Sequence, residues 1–95
     1  MRALYKAPQD KAFREIVIPN NLHTLQQLVG GYIETVTMPN GAVVICNDEG
    51  RINDSKYNCM FEGVDFFGTI LLVGADGEEF TDCPMSMLEA NKGIR

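Results

Sequence analysis

The pattern of apolar and polar residues predicts two short strands at the start of the chain. Residues 1–7 and 13–18 alternate in the manner of strands, whose successive side chains point to opposite faces of a sheet. Pro19 ends the second strand, because a proline nitrogen cannot donate a hydrogen bond to a neighbouring strand.

A helix follows these strands. Its apolar residues recur at the spacing of one helix face: Leu22, Leu25, Leu28 and Val29. The side chain of Asn20 or Asn21 can accept from the free N–H groups of the first turn. Gly30-Gly31 ends the helix, because glycine readily adopts the left-handed conformation found at many helix ends.

The next two strands form a hairpin. Residues 32–38 alternate and residues 42–46 are continuously apolar, and Pro39-Asn40-Gly41 between them is typical of a tight turn. A three-residue loop sets Glu34 opposite Cys46, whereas a two-residue turn sets Glu34 opposite Asn47. In either register the segments GGYIE and NDEG meet at one end of the hairpin.

The second half of the chain is less regular. A loop is expected over residues 47–68, polar over 47–58 with one helical turn there as an option, and a buried strand follows over 69–73. Ala75-Asp76-Gly77 predicts a hairpin turn into a strand at 79–81, and a helix is expected over 85–91 with Pro84 in its first turn. These elements predict one compact domain, residues 1–95. Its class is α+β, with a small, largely antiparallel sheet of about five to six strands and two short helices packed on it.

Composition excludes several classes of protein. No apolar run is long enough to cross a bilayer, and the first residues lack the apolar core of a signal peptide. The three cysteines and single histidine match no common zinc spacing, so we expect reduced thiols, no metal and no cofactor. The expected location is the cytoplasm.

The acidic residues are concentrated in the second half. The formal net charge is −5, and no Lys or Arg occurs between residues 57 and 91. Direct binding of nucleic acid is therefore not expected. An acidic surface can instead contact a basic groove on another protein, and a solvated surface is the alternative. The expected partner-binding residues are Glu62, Asp65, Asp76, Glu78, Glu79 and Asp82.

Polar side chains at the end of the hairpin predict either a ligand pocket or a hydrogen-bonded structural cluster. Its members are Tyr32, Glu34, Asn47, Asp48, Glu49 and Asn58. If Glu34 faces the core, its carboxylate is partly buried and needs donors. The carboxylates alone do not make an enzyme, because no nucleophile with a base and no glycine-rich phosphate loop forms a recognisable motif. We expect no catalytic residues.

The chain also resembles a known family. The segments LQQLVGGYIETV and VVICNDEG, together with Asn58 and DFFGTILLVG, are similar to a domain-of-unknown-function family of small proteins encoded by phages, plasmids and Firmicutes genomes. The resemblance runs from about residue 25 to residue 80. The family's usual Leu-Pro-x-Asn is replaced here by Ser55-Lys56-Tyr57-Asn58. The family assigns no chemistry to these residues.

The resemblance implies an origin in a mobile element, and such an origin suggests a binding function. We expect a non-catalytic, stoichiometric antagonist of a bacterial defence protein, of the anti-CRISPR or anti-restriction type, that presents an acidic face to a basic nucleic-acid channel of a CRISPR effector or restriction enzyme. It would act in the bacterial host cytoplasm. The alternative is a protein that binds or sequesters a small molecule or nucleotide at the GGYIE/NDEG end of the hairpin. A homodimer through an exposed sheet edge is a further option.

Overall fold

A computed structural model describes residues 1–50 and 55–95 of the chain. Within those residues it has eight strands and two helices. The strands are β1 (Arg2–Lys6), β2 (Arg14–Val17), β3 (Ile33–Thr37), β4 (Val43–Asn47), β5 (Tyr57–Phe61), β6 (Val64–Phe67), β7 (Ile70–Asp76) and β8 (Glu79–Thr81). The helices are α1 (Leu22–Val29) and α2 (Met87–Lys92).

The strands form one antiparallel sheet and a separate hairpin. The sheet has the order β2-β1-β7-β4-β3, and β8 pairs with the end of β7. Each ladder in it is antiparallel. β5 and β6 form the separate hairpin. The predicted α+β class and largely antiparallel sheet are thereby confirmed.

The sheet is covered on both faces, which makes three layers. On one face α1 packs over the sheet, with Leu25 and Val29 against Ile45, Leu71 and other residues of β4 and β7. The other face packs against the β5–β6 hairpin and α2. Phe61 and Ala90 belong to this second core together with residues of the sheet. Neither helix of the described chain is long and apolar enough to cross a membrane.

The β3–β4 hairpin has the register of a three-residue loop. The Met38 N–H donates to the Ala42 oxygen at 2.7 Å, and Glu34 lies opposite Cys46. At the other end of the hairpin the Asp48 N–H donates to the Tyr32 oxygen at 3.0 Å. The segments GGYIE and NDEG therefore meet, as both registers predicted.

The prediction of a loop over residues 47–68 is wrong for the second part of this range, where β5 and β6 form a hairpin. Part of that loop, residues 51–54, lies outside the described residues. The hairpin turns at Glu62-Gly63, with φ of 50° and 82°. Two successive positive φ values are the conformation of a type I′ turn, which usually has Asn or Asp at its first position. Because Glu62 occupies this position instead, the sequence does not show the usual pattern of such a turn.

The second helix begins later than predicted. Pro84 lies before the helix, and Ser86 caps it by accepting from the Glu89 N–H at 3.1 Å. The Glu89 carboxylate accepts from the Ser86 N–H in return, which completes a capping box. The serine and glutamate three residues apart, rather than the proline, were the signal for the start of this helix.

A buried polar pair connects the hairpin layer to the sheet. Lys6 of β1 is only 3% exposed, and its Nζ donates to the Asn58 side-chain oxygen at 2.8 Å. The Asn58 amide donates in turn to the oxygens of Lys6 and Gly68, at 2.8 and 2.9 Å. One asparagine thus satisfies a buried lysine and two carbonyl groups at once.

Replacing Asn58 by alanine should strongly destabilise the protein. The substitution leaves the buried Lys6 without its bonded partner and removes the donors to two carbonyl groups, so we expect a loss of about 3–5 kcal/mol in the free energy of unfolding. Lys6→Met removes a buried amine and leaves the Asn58 side-chain oxygen without this donor, so it should cost less, about 1–3 kcal/mol. Urea unfolding followed by circular dichroism measures both.

Asn20→Ala is the matched control, because the Asn20 amide donates to the Phe80 oxygen at the surface, where water can replace it. Equal losses for Asn20→Ala and Asn58→Ala would contradict the structural role of the buried pair.

Candidate functional site

A cavity of about 260 Å³ lies at the GGYIE/NDEG end of the β3–β4 hairpin, between that hairpin and β6. It is close to the lower size limit of small-molecule sites. Its lining combines carboxylates with apolar and aromatic side chains: Glu34, Val36, Cys46, Asn47, Asp48, Gly50, Val64, Asp65, Phe66 and Phe67. We refer to it as the hairpin cavity.

Only part of the predicted polar cluster lines the hairpin cavity. Glu34, Asn47 and Asp48 contribute to its wall. Tyr32 is 71% exposed and Glu49 is also exposed, and neither belongs to the lining. Asn58 lies elsewhere, bonded to Lys6.

Asn47 connects the end of α1 to the loop after β4. Its side-chain nitrogen donates to the Val29 oxygen at 3.3 Å, and its side-chain oxygen accepts from the Glu49 N–H at 2.8 Å. Gly31 passes so close that an added Cβ would lie 2.9 Å from the Asn47 amide nitrogen. The glycine therefore allows the close approach that these bonds require. The hydrogen bonds of Asn47 thus give its side chain a structural role, which is to hold the loop after β4 against the end of α1.

Glu34 is exposed, so the expectation of a partly buried carboxylate on the core face is not met. It lies at the rim of the hairpin cavity, on the outermost strand of the sheet. Asp48 is likewise exposed at the rim. Water can therefore solvate both carboxylates, and they are free to meet a ligand.

The opposite wall comes from β6, which the sequence did not predict as a strand. Asp65 accepts a hydrogen bond from the Tyr57 hydroxyl at 2.8 Å, and this bond raises the pKa of Tyr57. Phe66 is buried, whereas Phe67 is partly exposed. The alternation of these side chains in VDFF was the available signal, since it places Asp65 and Phe67 on one face of a strand.

The thiol of Cys46 is held in its protonated form. Burial, followed by the negative charges of Glu34 and Asp48, raises its pKa from 9.0 to about 11. Because the folded protein binds this proton more tightly than the unfolded chain does, the resulting stabilisation is complete below pH 9 and is lost as the pH approaches 11. Cys46 is thus a weak nucleophile at neutral pH.

The predicted partner-binding carboxylates have different surroundings in the structure. Asp82 accepts from the Arg2 N–H at 2.7 Å, and Asp65 lines the hairpin cavity. Glu62 borders a recess that also contains Lys92 and Arg95. The remaining three carboxylates are exposed together around the turn from β7 to β8: Asp76, Glu78 and Glu79. We call these three residues the acidic tip.

The acidic tip borders a second recess, of about 290 Å³, which we call the tip recess. Thr35, Thr37 and Val43 line it from the sheet, and Glu78, Glu79 and Phe80 line it from the β7–β8 hairpin. Thr35 and Thr37 lie opposite Ile45 and Val43, whose side chains face α1. The tip recess and the hairpin cavity therefore open on opposite faces of the sheet.

Metal binding finds no support in the described residues, where no three His, Cys, Asp or Glu side chains are grouped to hold an ion. His23 is exposed on α1.

Removing the two rim charges should lower the pKa of Cys46. In a Glu34→Gln/Asp48→Asn variant only burial still opposes ionisation, so the pH profile of alkylation by iodoacetamide should shift to lower pH. Peptide mass spectrometry measures the alkylation rate of each cysteine separately.

Cys59 and Cys83 are the internal controls for this experiment. Burial raises the pKa of each, and neither carboxylate contributes to the shift. Their profiles should not move. A Cys46 profile unchanged by the two substitutions would show that Glu34 and Asp48 do not act on the thiol.

Comparisons with known proteins find one family. Neither the curated proteins nor the solved structures include a significant match to the chain. The family described as a domain of unknown function (DUF3846) matches residues 1–92, a wider range than the resemblance quoted from the sequence. Since this match covers nearly the whole sequence, the chain belongs to the DUF3846 family.

Proposed function

We propose that the protein is a non-catalytic binding protein of phage or plasmid origin, and that it acts as a stoichiometric antagonist of a bacterial defence protein. Its target would be a CRISPR effector or a restriction enzyme, whose nucleic-acid channel is basic. The acidic tip would contact that channel in the bacterial host cytoplasm. The observation that carries this proposal is the exposure of Asp76, Glu78 and Glu79 together on one hairpin.

The position of the acidic tip favours binding to a cationic surface. Its carboxylates make no ion pair within the described residues, where the salt bridge found joins Arg2 to Glu15. They extend from β7, whose first five residues are buried. A strand that is buried at its start therefore presents charges that no cation of the described residues neutralises, and such charges can steer a basic partner.

The other acidic residues support the proposal less directly. Asp65 and Asp82 are bonded within the protein, and Glu62 lies near Lys92 and Arg95. The proposed contact surface is therefore narrower than the acidic half of the sequence, and consists of the acidic tip.

Charge reversal at the acidic tip should abolish antagonism. We expect Glu78→Lys/Glu79→Lys to raise the concentration needed for half-inhibition by at least about a hundredfold, because each substitution replaces attraction by repulsion. The measurement is DNA cleavage by a panel of purified CRISPR effectors and restriction enzymes, titrated with the protein.

Glu49→Lys/Glu62→Lys is the matched control, since it makes the same change in net charge away from the acidic tip. It should inhibit as the unaltered protein does. Inhibition that survives charge reversal at the tip, in a variant with an unchanged circular dichroism spectrum, would refute the tip as the contact. Absence of inhibition across the panel would refute the antagonist function.

A second candidate function is binding of a small molecule or nucleotide, and the hairpin cavity is the observation that favours it. Glu34, Asp48 and Asp65 offer acceptors to a base edge, a ribose or an amine, while Phe66 and Phe67 offer apolar surface. The same carboxylates would repel a phosphate.

Calorimetry with nucleosides, nucleotides and small amines tests this candidate. We expect nucleosides and amines to bind more tightly than the corresponding phosphates, and Asp65→Asn to weaken the binding. Absence of heat with every compound would eliminate the hairpin cavity as a site for these ligands.

A further inference from the structure

The outer edge of β3 is unpaired in the described part of the chain. β3 is the last strand of the sheet, next to β4 alone. The even-numbered residues on either side of β3 form hydrogen bonds towards β4. The Met38 N–H donates to the Ala42 oxygen, and the Tyr32 oxygen accepts from the Asp48 N–H. In an antiparallel ladder inward and outward residues alternate. The N–H and C=O groups of Ile33, Thr35 and Thr37 therefore point away from the sheet.

β3 has few of the features that usually protect an edge strand. It contains no Lys, Arg or Pro, its charged residue is Glu34, and Thr35 and Thr37 are exposed. The opposite edge strand, β2, differs in carrying a cation, Arg14, beside Glu15.

The free edge lies between two recesses on opposite faces of the sheet. Thr35 and Thr37 line the tip recess on the α1 face, together with Glu78 and Glu79. Glu34 and Val36 line the hairpin cavity on the other face, together with Asp48 and Asp65. Carboxylates thus border the free edge on both faces.

From this arrangement we propose that β3 binds an extended basic segment of the partner protein, which adds to the sheet as a further strand. Main-chain hydrogen bonds to Ile33, Thr35 and Thr37 would supply affinity that is independent of side chains. Successive side chains of the added strand point to opposite faces. Lys or Arg residues on one face would extend towards Glu78 and Glu79, and those on the other towards Glu34 and Asp48.

Charge complementarity is the reason for proposing a basic segment as the added strand. Backbone pairing accepts any extended segment, but the two recesses offer acceptors and negative charge on both faces. The aliphatic part of a Lys or Arg side chain can lie on Val43 and Phe80 while its charged end meets the carboxylates. The inference rests on the proposed function, to which it adds the chemistry of the partner and its mode of attachment.

The test uses a fluorescein-labelled peptide built from Lys, Arg, Val and Thr with cations on both faces of its extended form. Fluorescence anisotropy should show saturable binding to the protein. The same peptide with N-methyl groups on alternate residues keeps its charge but cannot pair along one edge, and we expect it to bind at least about tenfold more weakly. Absence of binding by the first peptide, or equal affinity of both, overturns strand addition.

Thr35→Pro provides a second, independent measurement. Proline removes an N–H that points outward and leaves the β3–β4 ladder intact, so this variant should bind the unmethylated peptide about tenfold more weakly. Val17→Pro places the same proline on the opposite edge strand, β2, and is the control that should bind normally. If the Thr35→Pro variant does not fold, as judged by circular dichroism, the methylated peptide alone decides.

Two further outcomes separate this inference from the proposed function. Loss of peptide binding in Glu78→Lys/Glu79→Lys, with equal affinity for both peptides, would overturn strand addition and leave the acidic contact standing. Loss on methylation, with binding unchanged by charge reversal, would overturn the acidic contact and leave strand addition standing. Concentration-dependent dimers in sedimentation that disappear in Thr35→Pro would assign the edge to a second copy of the chain and overturn the proposal.

Discussion

The burial of β7 on both faces is the constraint on which the rest of the structure depends. Ile70, Leu71, Leu72 and Val73 have no measurable exposure, with β1 and β4 on either side of them. A strand that is buried on both faces needs a packed layer on each face of the sheet. A chain of 95 residues has little length from which to form two such layers. One helix, α1, covers the first face. The second cover is assembled from the β5–β6 hairpin and α2, and Asn58 joins this layer to the sheet through Lys6.

The same constraint explains where the sequence was informative. The apolar residues of α1, the β3–β4 hairpin and the central strand follow regular patterns, and these elements were predicted from that spacing. β5 and β6 were not, because Asn58 interrupts the apolar pattern for a long-range bond to Lys6, and Glu62 occupies a turn position that favours Asn or Asp. Both features depend on partners far away in the chain.

One wall of the hairpin cavity could be predicted from the sequence, and the other could not. The meeting of GGYIE with NDEG followed from the turn alone, and it correctly placed Glu34, Asn47 and Asp48 together. The opposite wall could not be predicted, since it consists of residues on the unpredicted strand β6. Likewise, a count of carboxylates along the sequence does not distinguish Asp82, which accepts a backbone hydrogen bond, from Glu78, which is exposed at the tip. Tertiary structure decides which charges remain available.

The β7–β8 hairpin has a buried part and an exposed part, because β7 is innermost at its start and solvent-exposed at its end. Substitutions at Leu71 or Leu72 disturb two cores at once. Substitutions at Ala75, Asp76 and Glu78 alter exposed positions around the turn, whereas Gly77, with a φ of 63°, is best kept as glycine. The fold can therefore acquire a new binding specificity by local sequence change at this tip, at little cost in stability. For a protein engineer, it is the natural position at which to graft a foreign recognition loop.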